Sequence, residues 1–164
     1  MNQRTRHFLT RTLIPEEILP FSRSDLSISK VKAEENEKLG ALMYAAYQGT
    51  IDYEGESLTD SVGEISETFQ GKYGAFLFEP SLVAWKGDLA VAAALYVHYP
   101  EKKMPLLVYT MTHPQFKGQG LAQYLLKKSG EILQRQGFAQ CGLYVTEGND
   151  PAEFIYKKLG FQEV

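Results

Sequence analysis

With one cysteine in 164 residues, the chain cannot form an internal disulfide. That residue, Cys141, sits in the apolar run CGLYV, where a buried structural thiol is expected, and a fold without disulfide staples fits a cytoplasmic setting. Long apolar runs are missing too. The longest, LAVAAALYV at 89–97, is half of the roughly 18 residues that suggest a membrane span, so no membrane partner is expected. Nor is there a basic block: 17 Lys and Arg stand against 20 Asp and Glu, for a net charge of -3. Without clustered cations to neutralise phosphates, nucleic acid is not expected as a partner. The start, MNQRTRHFLTR, carries four basic groups counting His7 and no acid, yet it lacks the length and serine content of a transit peptide. No internal repeat or low-complexity stretch occurs, and no GxxxxGK followed by Ser or Thr, which excludes a Walker loop. What is present is ordinary globular composition, 44% hydrophobic and 23% charged, in a chain long enough to bury roughly two thirds of its unfolded surface.

Periodicity supplies the order of elements. Residues 26–31, LSISKV, alternate apolar and polar and predict a strand. Between Ala33 and Tyr47, residues Leu39, Leu42, Met43 and Ala46 recur at helical spacing before Gly49, and Leu58, Val62, Ile65 and Phe69 do so before Gly71. Three strand signals follow: SLVAW, then LAVAAALYVHY after the turn KGD, then LLVYTMT after the loop PEKKMP. A helix is predicted after KGQG, with Leu121, Leu125, Ile132 and Leu133 on one stripe and Lys127, Lys128, Glu131 and Arg135 opposite. CGLYV reads as a buried strand and DPAEFIYKKL as a final helix, with Asp150 as N-cap, Pro151 at its first position, Glu153 completing a box and Gly160 as C-cap. The order βααβββαβα describes an α/β fold with a mixed sheet.

The stretch THPQFKGQGLA, residues 112–122, holds the main chemical signal. Where a strand gives way to a helix, the amides from Gly118 to Ala122 sit at an unsatisfied helix N-terminus and form an anion site. Gly118, Gly120 and the small Ala122 allow close approach of a phosphate, and Lys117 adds a mobile positive charge. By itself the loop is equally compatible with a glycine-rich turn and a helix cap. A Rossmann loop fits worse, because GQGLAQ lacks the third small residue and no acid follows about twenty residues on at a strand end.

THPQFKGQGLA resembles the pyrophosphate-binding motif of the GNAT superfamily of N-acetyltransferases, and NDPAEFIYKKLGF, residues 149–161, resembles that family's second signature. The resemblance covers roughly residues 26–164, which reads as an acetyltransferase domain preceded by an N-terminal extension over residues 1–25. It implies a mostly antiparallel, helix-flanked sheet, acetyl-CoA as cosubstrate, no metal, and an amine acceptor on a small molecule or peptide. Two departures stand out. Lys117 replaces the usual Arg or Gln, which keeps charge and loses the planar fork. Only Gln162, Glu163 and Val164 follow Gly160-Phe161, so the usual C-terminal strands are missing or replaced. Residues 7–14, HFLTRTLI, have the composition of a strand and are expected to cover the exposed edge, within the chain or across a homodimer.

By the same resemblance, LLVYTMT parts from CGLYV to open a cleft, and pantetheine pairs with backbone at Met111 and Thr112. Lys117, Gly118, Gln119, Gly120, Leu121 and Ala122 hold the pyrophosphate. Asn149 and Ala152 also approach the cofactor, although Asn149 could equally cap the helix. The amine attacks the thioester directly, and the Tyr156 hydroxyl protonates the departing thiolate; the competing role for Tyr156 is core packing. A protonated amine also needs a base. Positions 106–112 hold no acid, so Glu147 is the first candidate, followed by Asp52, Glu54 and Glu56 in the loop flanking the acceptor site, with His98 and His113 also available. The acidic loop with Asp52, Tyr53 and Glu54 is expected to bind a cationic acceptor. A non-catalytic acyl-CoA-binding domain and a dinucleotide enzyme are the alternatives.

Overall fold

The computed structural model describes residues 4–164; the first three residues of the basic start lie outside it. Seven strands form one sheet: β1 (Arg6–Thr12), β2 (Ser27–Lys30), β3 (Ala75–Lys86), β4 (Leu89–Tyr99), β5 (Met104–Thr112), β6 (Gln140–Thr146) and β7 (Gln162–Glu163). Their spatial order is β2-β3-β4-β5-β6-β1-β7, and every pair is antiparallel except β5–β6. Four α-helices accompany them: α1 (Asn36–Tyr47), α2 (Leu58–Phe69), α3 (Leu121–Arg135) and α4 (Asp150–Lys158). The expected mixed α/β order therefore holds, with a strand added at each end.

The edge of β6 away from β5 is covered by β1. β1 pairs with β6 over seven residues, from Arg6↔Thr146 to Thr12↔Gln140. HFLTRTLI thus covers the edge from within the chain. β7 then pairs briefly with β1 at Leu9↔Glu163 and Thr10↔Gln162.

Two irregularities explain where sequence and structure differ in the middle of the sheet. The strand predicted at SLVAW begins six residues earlier, at Ala75, because the bulge between Leu77 and Leu82 absorbs Pro80, which has no amide to donate. Ser81 repairs the gap: its hydroxyl donates to the Leu77 carbonyl at 2.6 Å and accepts from the Tyr96 amide at 2.9 Å. A second bulge lies between β4 and β5. Leu95 opposes Tyr109 and Tyr96 opposes Leu107, which leaves Val108 as an extra residue on β5.

The sheet is buried on both faces. On one, α3 buries Leu121, Leu125, Leu126 and Leu133 against Ala92, Ala94, Tyr96 and Leu143. Cys141 belongs to this core, and burial pushes its thiol up to about 12, as an inert structural residue requires. On the other face, α1 packs Leu39, Leu42 and Met43 with Ile65 of α2 against Val83, Ala93 and Leu95. The helices α1 and α2 approach closely because Gly40 has no side chain; a Cβ there would lie 2.5 Å from Val62 Cγ2. Ser57 caps α2 through a reciprocal pair with Asp60. The start of α4 differs from expectation: the helix already includes Asp150, so Asn149 occupies the N-cap and no side-chain cap bond forms.

Candidate active site

The parallel contact between β5 and β6 comprises only Leu106↔Gly142 and Leu107↔Leu143. Immediately beyond it comes the bulge residue Val108, and a bulge bends and twists the strand that carries it. β5 stays with β4 while β6 stays with β1, so the two halves of the sheet part. The edge of β5 from Val108 to Thr112 consequently has no strand partner on the β6 side. A cleft with two chambers fills the gap.

One chamber, about 410 Å³, is lined by Met111, Thr112, every residue from Phe116 to Gln123, and α4. Gly118 and Gly120 have φ of 77° and 78°, and a Cβ at either would meet nothing within 4 Å. Glycine is therefore required by the left-handed backbone and not by crowding, and open space lies over the loop. Gly120 is the N-cap of the fifteen-residue α3 and offers no side-chain cap, so the first amides of α3 are left for a ligand. Arg23 braces this loop by donating to Gln119 Oε1 at 2.7 Å while its own guanidinium is held by Asp25. That long-range brace has no signature in the local sequence.

The other chamber, about 1000 Å³, is lined by the 51–56 loop, α2, the parted ends of β5 and β6, and the start of β1. Asp52, Tyr53, Glu54, Glu56, Asp60 and Glu64 face it, as do Arg4 and Arg6. Glu64 is the most firmly held of these carboxylates. It accepts from Tyr73 Oη at 2.6 Å, Tyr109 Oη at 2.7 Å and Lys72 Nζ at 2.9 Å. Partial burial disfavours its charge, but these three donors outweigh burial and hold it below the ordinary carboxylate range. Burial first, and donation to Glu64 second, push the Tyr109 and Tyr73 phenols up. Periodicity gives Glu64 only a place on the polar side of a helix; its role arises from Tyr109, 45 residues away.

Tyr47, Asp52, Thr110, Asn149, Ala152 and Tyr156 line both chambers and so mark their junction. Tyr156 Oη donates to Thr110 Oγ1 at 3.3 Å, and its ring meets Phe161 edge-on at 5.8 Å. Burial, opposed by the Thr110 bond and reinforced by the charge of Asp52, pushes its phenol up, so it is protonated near neutral pH. Asp52 Oδ1 accepts from Thr146 Oγ1 at 2.7 Å, which ties the acidic loop to the end of β6. It is the one carboxylate common to both chambers.

Of the residues expected from sequence, all but Glu147, His98 and His113 line the cleft. Glu147 is exposed beyond the end of β6 and lines neither chamber, because its amide bonds the Thr5 carbonyl and continues the β1–β6 ladder outward. The histidines also stay outside: His113 Nδ1 accepts from the Gln115 amide in a local turn, and His98 packs near Phe138. Among the described residues no cluster of His, Cys, Asp and Glu is arranged to hold a metal, and no helix is long and apolar enough to cross a membrane.

The model of the acetyltransferase (GNAT) family matches residues 43–161. A thialysine N-epsilon-acetyltransferase from Bos taurus is 29% identical over 92 residues, which cover 56% of this chain and 44% of the relative; the chain thus spans less than half of that relative's length. The crystal structure of a GCN5-related N-acetyltransferase from Sphaerobacter thermophilus superposes with a TM-score of 0.74 at 16% identity, covering 98% of this chain and 49% of that one. The PaiA N-acetyltransferase from Thermoplasma acidophilum, solved in complex with coenzyme A, superposes with a TM-score of 0.63 at 20% identity, covering 84% of this chain and 89% of that one.

Proposed function

The chain belongs to the acetyltransferase (GNAT) family, and from that premise we propose that it transfers an acetyl group from acetyl-CoA to a primary amine on a small molecule or peptide. The observation that carries this reading is the junction: a protonated phenol, Tyr156, and a carboxylate, Asp52, stand where a chamber ending in free helix amides meets a chamber lined with acids. Residues 26–164 form the transferase domain in this reading, and residues 1–25 are an extension that lends β1 to its sheet. A cytoplasmic setting belongs to the same reading.

The cofactor chamber suits an elongated thioester carrying a pyrophosphate. Gly118, Gln119, Gly120, Leu121 and Ala122 hold the pyrophosphate through backbone amides, with Lys117 as a mobile counter-charge. Met111 and Thr112 offer the unpaired strand edge to the pantetheine amides, and Asn149 and Ala152 close the chamber from α4. Acetyl-CoA supplies the activated acyl group; the chain orients it and moves protons.

Asp52 replaces Glu147 as the proton acceptor for the incoming ammonium. Glu64, Tyr53 and Glu54 give the chamber its preference for a cation, with Glu64 fixed in place by its phenols. The amine nitrogen bonds to the acetyl carbon, the carbon–sulfur bond breaks, and Tyr156 gives its proton to the thiolate. The ammonium gives up two protons on the way to the amide: one replaces the proton that Tyr156 donates, and the other leaves through Asp52 to solvent.

Thiol release from acetyl-CoA, followed over a panel of amines that includes thialysine, polyamines, aminoglycosides and peptides, tests the reading. Amine-dependent release that falls in Asp52→Asn supports it. Saturable acetyl-CoA binding with no release for any amine would establish the alternative, a non-catalytic acyl-CoA-binding domain.

A further inference from the structure

The acceptor chamber carries charges of both signs. Acids come from α2, where Tyr109 of β5 meets Glu64, and from the 51–56 loop, whose Asp52 is held by Thr146 at the end of β6. The cations come from the start of β1, on the side of β6. Arg6 lies with its guanidinium 5.3 Å from the centroid of the Tyr144 ring, and Tyr144 is itself fixed by Phe8 at 4.9 Å and Tyr99 at 6.1 Å. Among the described residues Arg6 takes part in no salt bridge. Its charge also reaches the buried Tyr47 phenol at the junction, where it acts against the upward push of burial. A guanidinium stacked on an aromatic ring keeps its donor edge free for a planar anion.

A plain polyamine would set one ammonium beside Asp52 and Glu64 and another against Arg6, a like-charge contact. We propose that the acceptor is a zwitterion of the amino-acid or peptide kind, whose carboxylate is held by Arg6 while its ammonium faces Asp52. Arg6 is then a specificity-determining residue. This rests on the amine-acceptor reading above and narrows it.

The test compares acceptors that differ only in carboxylate against carboxamide: L-lysine with L-lysinamide, β-alanine with β-alaninamide, and glycylglycine with its amide. Thiol release and calorimetric binding to the CoA-loaded protein are measured for each pair. The carboxylate member is expected to have a KM lower by about tenfold or more, the usual scale of a charged hydrogen bond. Arg6→Gln should erase that preference by raising the carboxylate KM alone, with the acetyl-CoA KM unmoved, and Arg6→Lys should keep part of it. If Arg6→Gln fails to fold, the wild-type pairs and Arg6→Lys decide. Equal use of both members, or a preference that survives Arg6→Gln, overturns the proposal while leaving amine acetylation standing. No turnover and no binding for any pair overturns both.

Discussion

The two chambers meet at Tyr156 but are built from different materials. The chamber proposed for the cofactor takes its longest run of lining residues from one continuous stretch, residues 116–123, which holds two left-handed glycines. The chamber proposed for the acceptor draws its lining from scattered elements: β1, α1, the 51–56 loop, α2, β5, β6 and α4. A backbone cradle binds what every acetyl donor has in common, because amides at a helix end recognise charge and not identity. A chamber lined from scattered elements can change one residue at a time, so in the proposed function it is where acceptor choice would reside.

Substitutions can break this contrast, and the largest effect is expected at the junction, which serves both sides. Tyr156→Phe keeps the ring against Phe161 and removes the hydroxyl, so turnover should fall roughly 10- to 1000-fold while acetyl-CoA affinity and melting temperature hold. A pre-steady-state burst of product in the Phe variant would show that a later step limits turnover, and would move the donor elsewhere.

Next comes the backbone cradle. Gly120→Val forces a β-branched residue to a φ of 78°, and the dissociation constant for acetyl-CoA should rise about tenfold or more, given a left-handed penalty of roughly 1–2 kcal/mol. Calorimetry should register that rise alone; an equal loss of acceptor affinity at saturating acetyl-CoA would blur the division between chambers.

A smaller change is expected at Glu64→Gln. Loss of its charge weakens three bonds, so the acceptor KM should rise several-fold and stability should drop by about 1–2 kcal/mol. Since the folded protein holds this carboxylate below the ordinary range, its contribution is complete above that range and disappears as pH falls through the lowered value. Denaturation followed against pH should show wild type and variant converging on the acid side. The smallest effect belongs to Glu147→Gln, which touches neither chamber: stability should stay within about 0.5 kcal/mol, and unchanged kinetics would separate this exposed acid from Asp52.

Local signals accounted for much of this. The hairpin turn Gly87-Asp88, the stripe Leu121, Leu125 and Leu133, and the loop from Lys117 to Ala122 were all legible, because each depends on neighbours a few residues away. The early start of β3 was not, since Glu79-Pro80 reads as a break until the Ser81 hydroxyl is seen to bridge Leu77 and Tyr96. The start of α4 also slipped by one residue, a boundary that side-chain caps would have marked had one formed.

Which carboxylate reaches the junction of the chambers was decided by tertiary structure alone. Six acids lie between Asp52 and Glu67, and no spacing distinguishes them. Asp52 reaches the junction because Thr146 on β6 holds it, and Glu64 is fixed because β5, bent at Val108, brings Tyr109 to it. Glu147 is excluded by the ladder that β1 extends past Thr146. Periodicity and glycine placement act over a few residues and so determine the elements and the cofactor loop. Contacts closed across 45 and 94 residues exist only once the sheet has assembled and split, and on them the acceptor chamber depends.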